Sequence, residues 1–278
     1  MWRARSELTL RTALILGALG CSSGAQPPPS TLVPATSAPA PSPSSSESAP
    51  AETAPAASAS AERSSAAPSK PDIPPPGSPL DRVMKAHFQD ALLIRKAVID
   101  GNPERAADPA KVFSEIGDLD QLPRGWQGFV WRMQDAARRI TYSTSAAQAA
   151  AAAADLGVSC GMCHEEHGGP KVSSEPAPPE GTSLESRMKR HAWATERLWE
   201  GLYVPSIDAW NAGVKALGTN PFPKDVLKSG VHVRSAASEF TRLVAKAPSK
   251  KTVEERAALY AEMLVSCGAC HQAVNSHD

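Results

Sequence analysis

From residue 78 onward, apolar residues recur every three or four positions, which is the spacing of one face of an α-helix. The first such stripe consists of Met84, His87, Ala91, Ile94 and Val98. The sequence Gly101-Asn102-Pro103 ends this helix, and its proline can begin the next one. Few stretches show the alternation typical of a strand. The pattern therefore predicts an all-α fold.

Capping signals and further stripes extend this prediction to eight helices. Thr182 and Thr252 each begin a capping-box sequence, with Glu185 and Glu255 three positions later. The predicted helices cover about 79–100, 103–117, 125–140, 145–164, 183–204, 206–217, 229–246 and 253–271. Mostly short connections favour two tandem antiparallel four-helix bundles, in domains 78–168 and 182–278, joined by a linker at 169–181.

The two predicted domains repeat each other in sequence. GSPLDRVMKAH at 77–87 corresponds to GTSLESRMKRH at 181–191, at an offset of 104 residues. SCGMCH at 159–164 corresponds to SCGACH at 266–271, at an offset of 107 residues. Because two markers at opposite ends of the unit are displaced by nearly the same amount, the sequence indicates a duplicated helical unit.

The region before the repeats has a different composition. Residues 1–21 combine a basic start, a short apolar stretch and Cys21, and their ALGC ending resembles a bacterial lipoprotein lipobox. Residues 22–77 hold 14 of the 26 prolines among Ala and Ser, which predicts a disordered linker. We therefore expect an exported protein on the periplasmic side of a bacterial membrane, anchored by a lipid on Cys21. Equal totals of 29 basic and 29 acidic residues argue against a nucleic-acid partner.

The two CxxCH motifs place two thiols and an imidazole together, and three kinds of chemistry use such a group. A structural zinc site needs four ligands, so one motif is a ligand short. A thioredoxin-like redox pair belongs at the start of a helix in a βαβ unit, whereas these motifs end predicted helices. Haem c attachment uses every group and agrees with export. The sequence therefore predicts two covalent haems per chain, held by Cys160 and Cys163 with iron ligand His164, and by Cys267 and Cys270 with iron ligand His271.

The position of these motifs, the helix count and the MKAHF and MKRHA segments resemble the class II cytochromes c, the cytochrome c-prime type. The resemblance covers about 78–274, twice over. It implies four-helix bundles with CxxCH near the end of the last helix, and a sixth iron position approached from the first helix. Relatives in this family often pair through their helices, so a homodimer is possible.

The repeated MKxH segment supplies candidates for that sixth position. In an antiparallel bundle the start of the first helix lies beside the end of the fourth, so this segment is level with the haem. We favour His87 and His191 as distal ligands, with Met84 and Met188 as alternatives. A five-coordinate iron with no distal ligand is the third possibility. His167 is expected to be solvated, although it lies close enough to the first motif to be a distant ligand candidate. Five tryptophans are expected in the bundle core and the lining of the haem pockets: Trp126, Trp131, Trp193, Trp199 and Trp210.

These features predict a membrane-tethered dihaem cytochrome that exchanges electrons with redox partner proteins and is not an enzyme. One alternative is a haem module that binds or senses a small gas such as nitric oxide or carbon monoxide. A dihaem peroxidase is a weaker alternative, because the sequence offers no acid or base residue beyond the ligand candidates.

Overall fold

Helices make up nearly all regular structure in the computed structural model, which describes residues 75–115, 122–123, 125–178, 180–218 and 221–276. Within these ranges there are eight α-helices and no β-strand, so the all-α prediction is confirmed. The helices are α1 (Pro79–Ile99), α2 (Ala107–Ser114), α3 (Gln127–Thr141), α4 (Ala146–His167), α5 (Leu184–Tyr203), α6 (Ile207–Leu217), α7 (Val231–Lys246) and α8 (Val253–Asn275). The predicted signal, Cys21 and nearly all of the predicted linker 22–77 lie outside the described residues.

The capping predictions hold at α8 and fail by one residue at α5. Thr252 and Glu255 form the predicted reciprocal capping box. Helix α5 begins one position later than the sequence pattern suggests, because Ser183 is its N-cap and accepts a hydrogen bond from the Ser186 backbone N–H at 3.1 Å. The extended backbone of Ser183 brings its hydroxyl to that N–H group, so Thr182 does not cap the helix.

Both motif-bearing helices continue past the positions where the sequence pattern ends them. Helix α4 extends to His167 and α8 to Asn275, one turn beyond each CxxCH motif. Gly168 ends α4 with φ of 82°, a conformation that L side chains rarely adopt. Each motif therefore lies within regular helix, which fixes the relative directions of its thiols and imidazole.

The buried positions of the two repeats coincide at the two sequence offsets. Ile94 and Leu198 are equivalent and buried in α1 and α5, and Leu156 and Met263 are equivalent and buried in α4 and α8. Helix α4 packs against α8 and α5, and α8 also packs against α1. One apolar core therefore continues across both repeats rather than ending at their boundary.

Polar and aromatic side chains also cross between the repeats. The buried guanidinium of Arg95 donates hydrogen bonds to the Tyr260 hydroxyl at 2.7 Å and to the Thr195 hydroxyl at 3.3 Å. The Phe88 ring of α1 lies 5.1 Å from the Tyr203 ring of α5. The core prediction for Trp131 is wrong, because its side chain lies on the solvent face of α3 and is 58% exposed.

The described helices differ from membrane-spanning helices in length or composition. None of them combines the length and the apolar composition that a membrane-spanning helix needs.

Candidate haem sites

The four motif thiols are free of disulfide bonds and partly or fully shielded from water. Burial raises the pKa of Cys160 and of Cys267 to about 12, and that of Cys163 to about 11. These thiols are therefore protonated at neutral pH. A redox-active cysteine pair depends on a lowered thiol pKa, so this environment disfavours a thioredoxin-like function.

A bare metal ion also lacks the ligands it needs. Among the residues that the structure describes, no three His, Cys, Asp or Glu side chains come close enough together to hold one. A structural zinc site takes four such ligands. Haem places fewer demands on the protein, because the porphyrin supplies four nitrogen ligands and an axial imidazole adds the fifth.

The imidazole of His164 is oriented by a hydrogen bond of the kind that accompanies metal-binding histidines. Its Nδ1 lies 2.7 Å from the carbonyl oxygen of Tyr203 at the end of α5. Because a carbonyl only accepts, Nδ1 carries the proton, and burial lowers the pKa of His164 despite this bond. The ring is therefore neutral with an unprotonated Nε2, which is the form that binds iron.

His271 occupies the equivalent position in the second repeat with a different neighbour. The Nδ1 atom of His271 lies 3.9 Å from a carboxylate oxygen of Asp100, the residue that directly follows α1. The His271 side chain is 47% exposed. Burial lowers the pKa of His271, and the charge of Asp100 acts in the opposite direction. The second imidazole thus lies near an anion where the first lies against a neutral carbonyl.

The glycine shared by both SCGxCH motifs marks a close contact between backbones. A Cβ atom at Gly161 would overlap the carbonyl oxygen of Leu202 in α5. A Cβ atom at Gly268 would lie 2.9 Å from the carbonyl oxygen of Val98 in α1, which is also too close. Each motif therefore packs against the last turn of the first helix of the other repeat, and only glycine permits that approach.

The preferred distal candidates occupy matching aromatic environments. His87 lies 5.1 Å from the Phe113 ring, and His191 lies 5.2 Å and 4.9 Å from the Phe222 and Phe240 rings. In both imidazoles Nδ1 is buried without a hydrogen-bond partner. A buried nitrogen with no partner is costly, and ligation is one way to satisfy it.

In the second repeat His191, in the first half of α5, lies near enough to His271, close to the end of α8, for their charges to interact. Burial, with a smaller contribution from the charge of His271, lowers the pKa of His191 to about 4. In the first repeat Phe88 lies 5.1 Å from the ring of Tyr203, whose carbonyl binds His164. The alternative candidates Met84 and Met188 are partly buried one turn earlier.

Three groups near these sites could not be identified correctly from the sequence pattern: His167, Tyr203 and Asp100. His167 is not solvated as expected: it lies 5.2 Å from the Trp126 ring and 5.6 Å from the Phe129 ring, and its Nε2 is buried without a partner. Tyr203 and Asp100 approach the motifs from the other repeat. Periodicity describes one helix at a time, so it could not reveal either contact.

Comparison with known proteins adds no assignment to this geometry. The chain matches no protein-family model, no curated protein and no solved structure. The function is therefore argued from the residues of the two sites.

Proposed function

We propose that this protein is a dihaem c-type cytochrome that transfers electrons, built from two four-helix bundles of the class II type. The observation that carries the proposal is the bond from His164 Nδ1 to the Tyr203 carbonyl, which leaves Nε2 unprotonated on the residue that directly follows Cys163 in the motif. The second repeat offers the same residue types at Cys267, Cys270 and His271.

The role of each residue follows from its chemistry. Haem, when bound, supplies an iron that gains or loses one electron. Cys160, Cys163, Cys267 and Cys270 would hold the two haems as thioethers, and His164 and His271 would each provide one nitrogen ligand for the iron. His87 and His191 stay neutral because they are buried, so each can donate a nitrogen lone pair to the distal side. The surrounding aromatic rings exclude water from these nitrogens.

The setting of this activity is proposed from the N-terminal sequence. Export and lipidation at Cys21 would tether the protein on the periplasmic side of a membrane. The long Pro-rich segment would allow it to reach redox partner proteins away from the bilayer.

The test is expression of the full chain together with haem c maturation proteins. Intact mass should increase by two haems, and the reduced protein should show a sharp α-band typical of six-coordinate iron. A matched pair of variants, Cys160→Ala with Cys163→Ala and Cys267→Ala with Cys270→Ala, should each lose one haem. Absence of a Soret band from the wild-type chain would overturn the proposal.

A gas-binding function is the second candidate, and one observation favours it. A cavity of about 30 Å³ lies beside His191 and is also lined by Arg187, Arg190, Leu217 and Pro221. That volume exceeds the roughly 10–15 Å³ that one water molecule needs in this measure, so it has room for a diatomic gas. If reduced wild-type protein is high-spin and its spectrum shifts with carbon monoxide, gas binding replaces electron transfer as the function.

A further inference from the structure

Both CxxCH motifs are in contact with the opposite repeat. At the end of α4, His164 bonds the Tyr203 carbonyl of α5. At the end of α8, His271 faces Asp100 after α1, and the side chain of the next residue, Gln272, donates a hydrogen bond to the Gly101 carbonyl. The contact is thus made in both directions, from repeat one to repeat two and back.

We infer that each repeat completes the haem site of the other, with the Tyr203 carbonyl orienting His164 by a hydrogen bond and the Asp100 carboxylate placing a negative charge beside His271. This inference rests on the proposed function, because it concerns imidazoles that ligate iron. It assigns Asp100 as a positioning residue for the second haem, although Asp100 belongs to the first repeat.

The chemistry of the two acceptors differs in a way that affects the iron. A hydrogen-bond acceptor on the outer nitrogen fixes the ring orientation and increases the basicity of the ligating nitrogen. The Asp100 oxygen is 3.9 Å from His271 Nδ1, which is beyond direct hydrogen-bond distance, so Asp100 acts on the second site through its negative charge. A nearby negative charge stabilises the oxidised iron, which carries one positive charge more than the reduced iron. Asp100 therefore lowers the reduction potential of the second haem.

The neighbours of Asp100 leave it able to act on His271. One carboxylate oxygen is held by Lys96, one turn earlier on α1. The other oxygen is the one that lies 3.9 Å from His271 Nδ1. Lys96 therefore holds the Asp100 carboxylate in place through one oxygen, while the other oxygen stays near the His271 imidazole.

The experiment is a redox titration of the full dihaem protein, fitted with two potentials. Replacing Asp100 with Asn should shift one potential to a more positive value and leave the other unchanged. Asp100→Ala, which removes the acceptor entirely, should give a shift at least as large. Asp100→Glu should restore the wild-type value, because a carboxylate is still within reach.

The control removes an equal charge where no histidine is near. Asp108 in α2 has a side chain that is 92% exposed, so Asp108→Asn should leave both potentials at their wild-type values. Repeating Asp100→Asn in the Cys160→Ala, Cys163→Ala chain identifies the affected haem. The shift should persist there and be absent from the Cys267→Ala, Cys270→Ala chain.

The outcomes separate this inference from the function it rests on. If no haem attaches, the proposed function fails. If two haems attach and Asp100→Asn moves neither potential, moves both, or moves only the first haem, the cross-repeat assignment is wrong while the cytochrome proposal stands. A shift of equal size in Asp108→Asn would also overturn it.

Discussion

In the first repeat the imidazole of His164 lies against a backbone carbonyl, whereas in the second the imidazole of His271 lies near the carboxylate of Asp100. The backbone contacts around them are nevertheless alike, because Gly161 and Gly268 both touch a carbonyl at the end of the opposite first helix. The duplicated positions are those that hold the motif against its neighbour. Side chains around that frame have diverged, and these differences can tune the two sites separately.

The faces of α4 and α8 that point away from this contact differ as well. In the first repeat Arg132 of α3 lies 3.3 Å from the Met162 sulfur and fills the space between the helices. The equivalent residues in the second repeat are Glu239 and Ala269, which line an open groove of about 810 Å³ between α7 and α8. Replacement of a long side chain by alanine accounts for the groove.

A buried ion pair is present in one repeat and lacks an equivalent in the other. Arg197 and Glu200 of α5 are 2.7 Å apart, with side chains 9% and 2% exposed, and Glu200 also accepts from the Ser173 backbone N–H. The equivalent residues of α1 are Leu93, which is 55% exposed, and Lys96. The segment that joins the repeats therefore shields Arg197 and Glu200 of α5 from solvent, whereas the equivalent part of α1 is exposed.

The largest expected effect concerns the proposed distal ligands, for which we expect the two repeats to behave alike. His87→Ala and His191→Ala should each convert one haem of the pair from low-spin to high-spin, because each removes an axial nitrogen. Reduced protein should then bind one carbon monoxide per chain, as measured by absorption titration. Met84→Leu and Met188→Leu are the controls and should leave the spectrum unaltered. An unchanged spectrum in either histidine variant would break the equivalence.

The next effect should be confined to the second repeat. Glu200→Gln leaves the Arg197 guanidinium buried without its partner, and we expect the free energy of unfolding to fall by about 3–5 kcal/mol. Urea denaturation followed by circular dichroism measures it. Lys96 occupies the position on α1 that is equivalent to Glu200. Lys96→Met should lower the free energy of unfolding by less than about 1 kcal/mol, because the ion pair of Lys96 with Asp100 is exposed. A double change of Arg197 and Glu200 to Leu should cost less than Glu200→Gln; equal costs would argue against an unpaired charge as the cause.

A smaller effect on the free energy of unfolding is expected when either motif glycine is replaced by alanine. Overpacking costs about 1–3 kcal/mol, and we place Gly161→Ala at about 3 kcal/mol and Gly268→Ala at about 1 kcal/mol, since the added Cβ overlaps more severely at Gly161. Gly128 in α3 has nothing within 4 Å of its Cβ position, so Gly128→Ala should stabilise the helix by about 0.5–1 kcal/mol. The same urea titrations apply, and the reverse order of the two motif variants would show that the contacts are not ranked by distance.

The smallest effect concerns an ion pair on the surface of the first repeat. Arg139 of α3 lies 2.8 Å from Asp155 of α4, and both side chains are about half exposed. Arg139→Ala should therefore reduce the unfolding free energy by less than about 1 kcal/mol. The difference should shrink in 1 M salt, which screens exposed charges. Lys246→Ala, at the equivalent position of α7, should change stability by less; a larger loss there would contradict the comparison.

The helices could be predicted from the sequence because their signals are local. The stripe from Met84 to Val98 and the capping box at Thr252 predict α1 and the start of α8, since apolar spacing and capping hydrogen bonds act within one helix. The end of α4 was predicted too early because a motif was treated as a terminus. The helix in fact continues to Gly168, where the backbone takes a positive φ.

The partners of the motifs could not be predicted in the same way. The Tyr203 carbonyl is a backbone atom with no sequence signature, and Asp100 looks like an ordinary residue at a helix end. The expectation that Trp131 is buried failed because composition does not say which face of α3 meets the core. Contacts between repeats depend on how helices from distant parts of the chain pack.

The contact of Gly161 with Leu202 and that of Gly268 with Val98 join equivalent positions of the two repeats, once in each direction. Such an interface is the isologous kind that joins two identical subunits, so the chain has the geometry of a dimer fused end to end. In separate subunits this association would weaken as the protein is diluted. Here residues 168–183 link the halves, and a short linker gives an effective concentration on the order of millimolar. The pairing of the halves is therefore independent of how scarce the protein is.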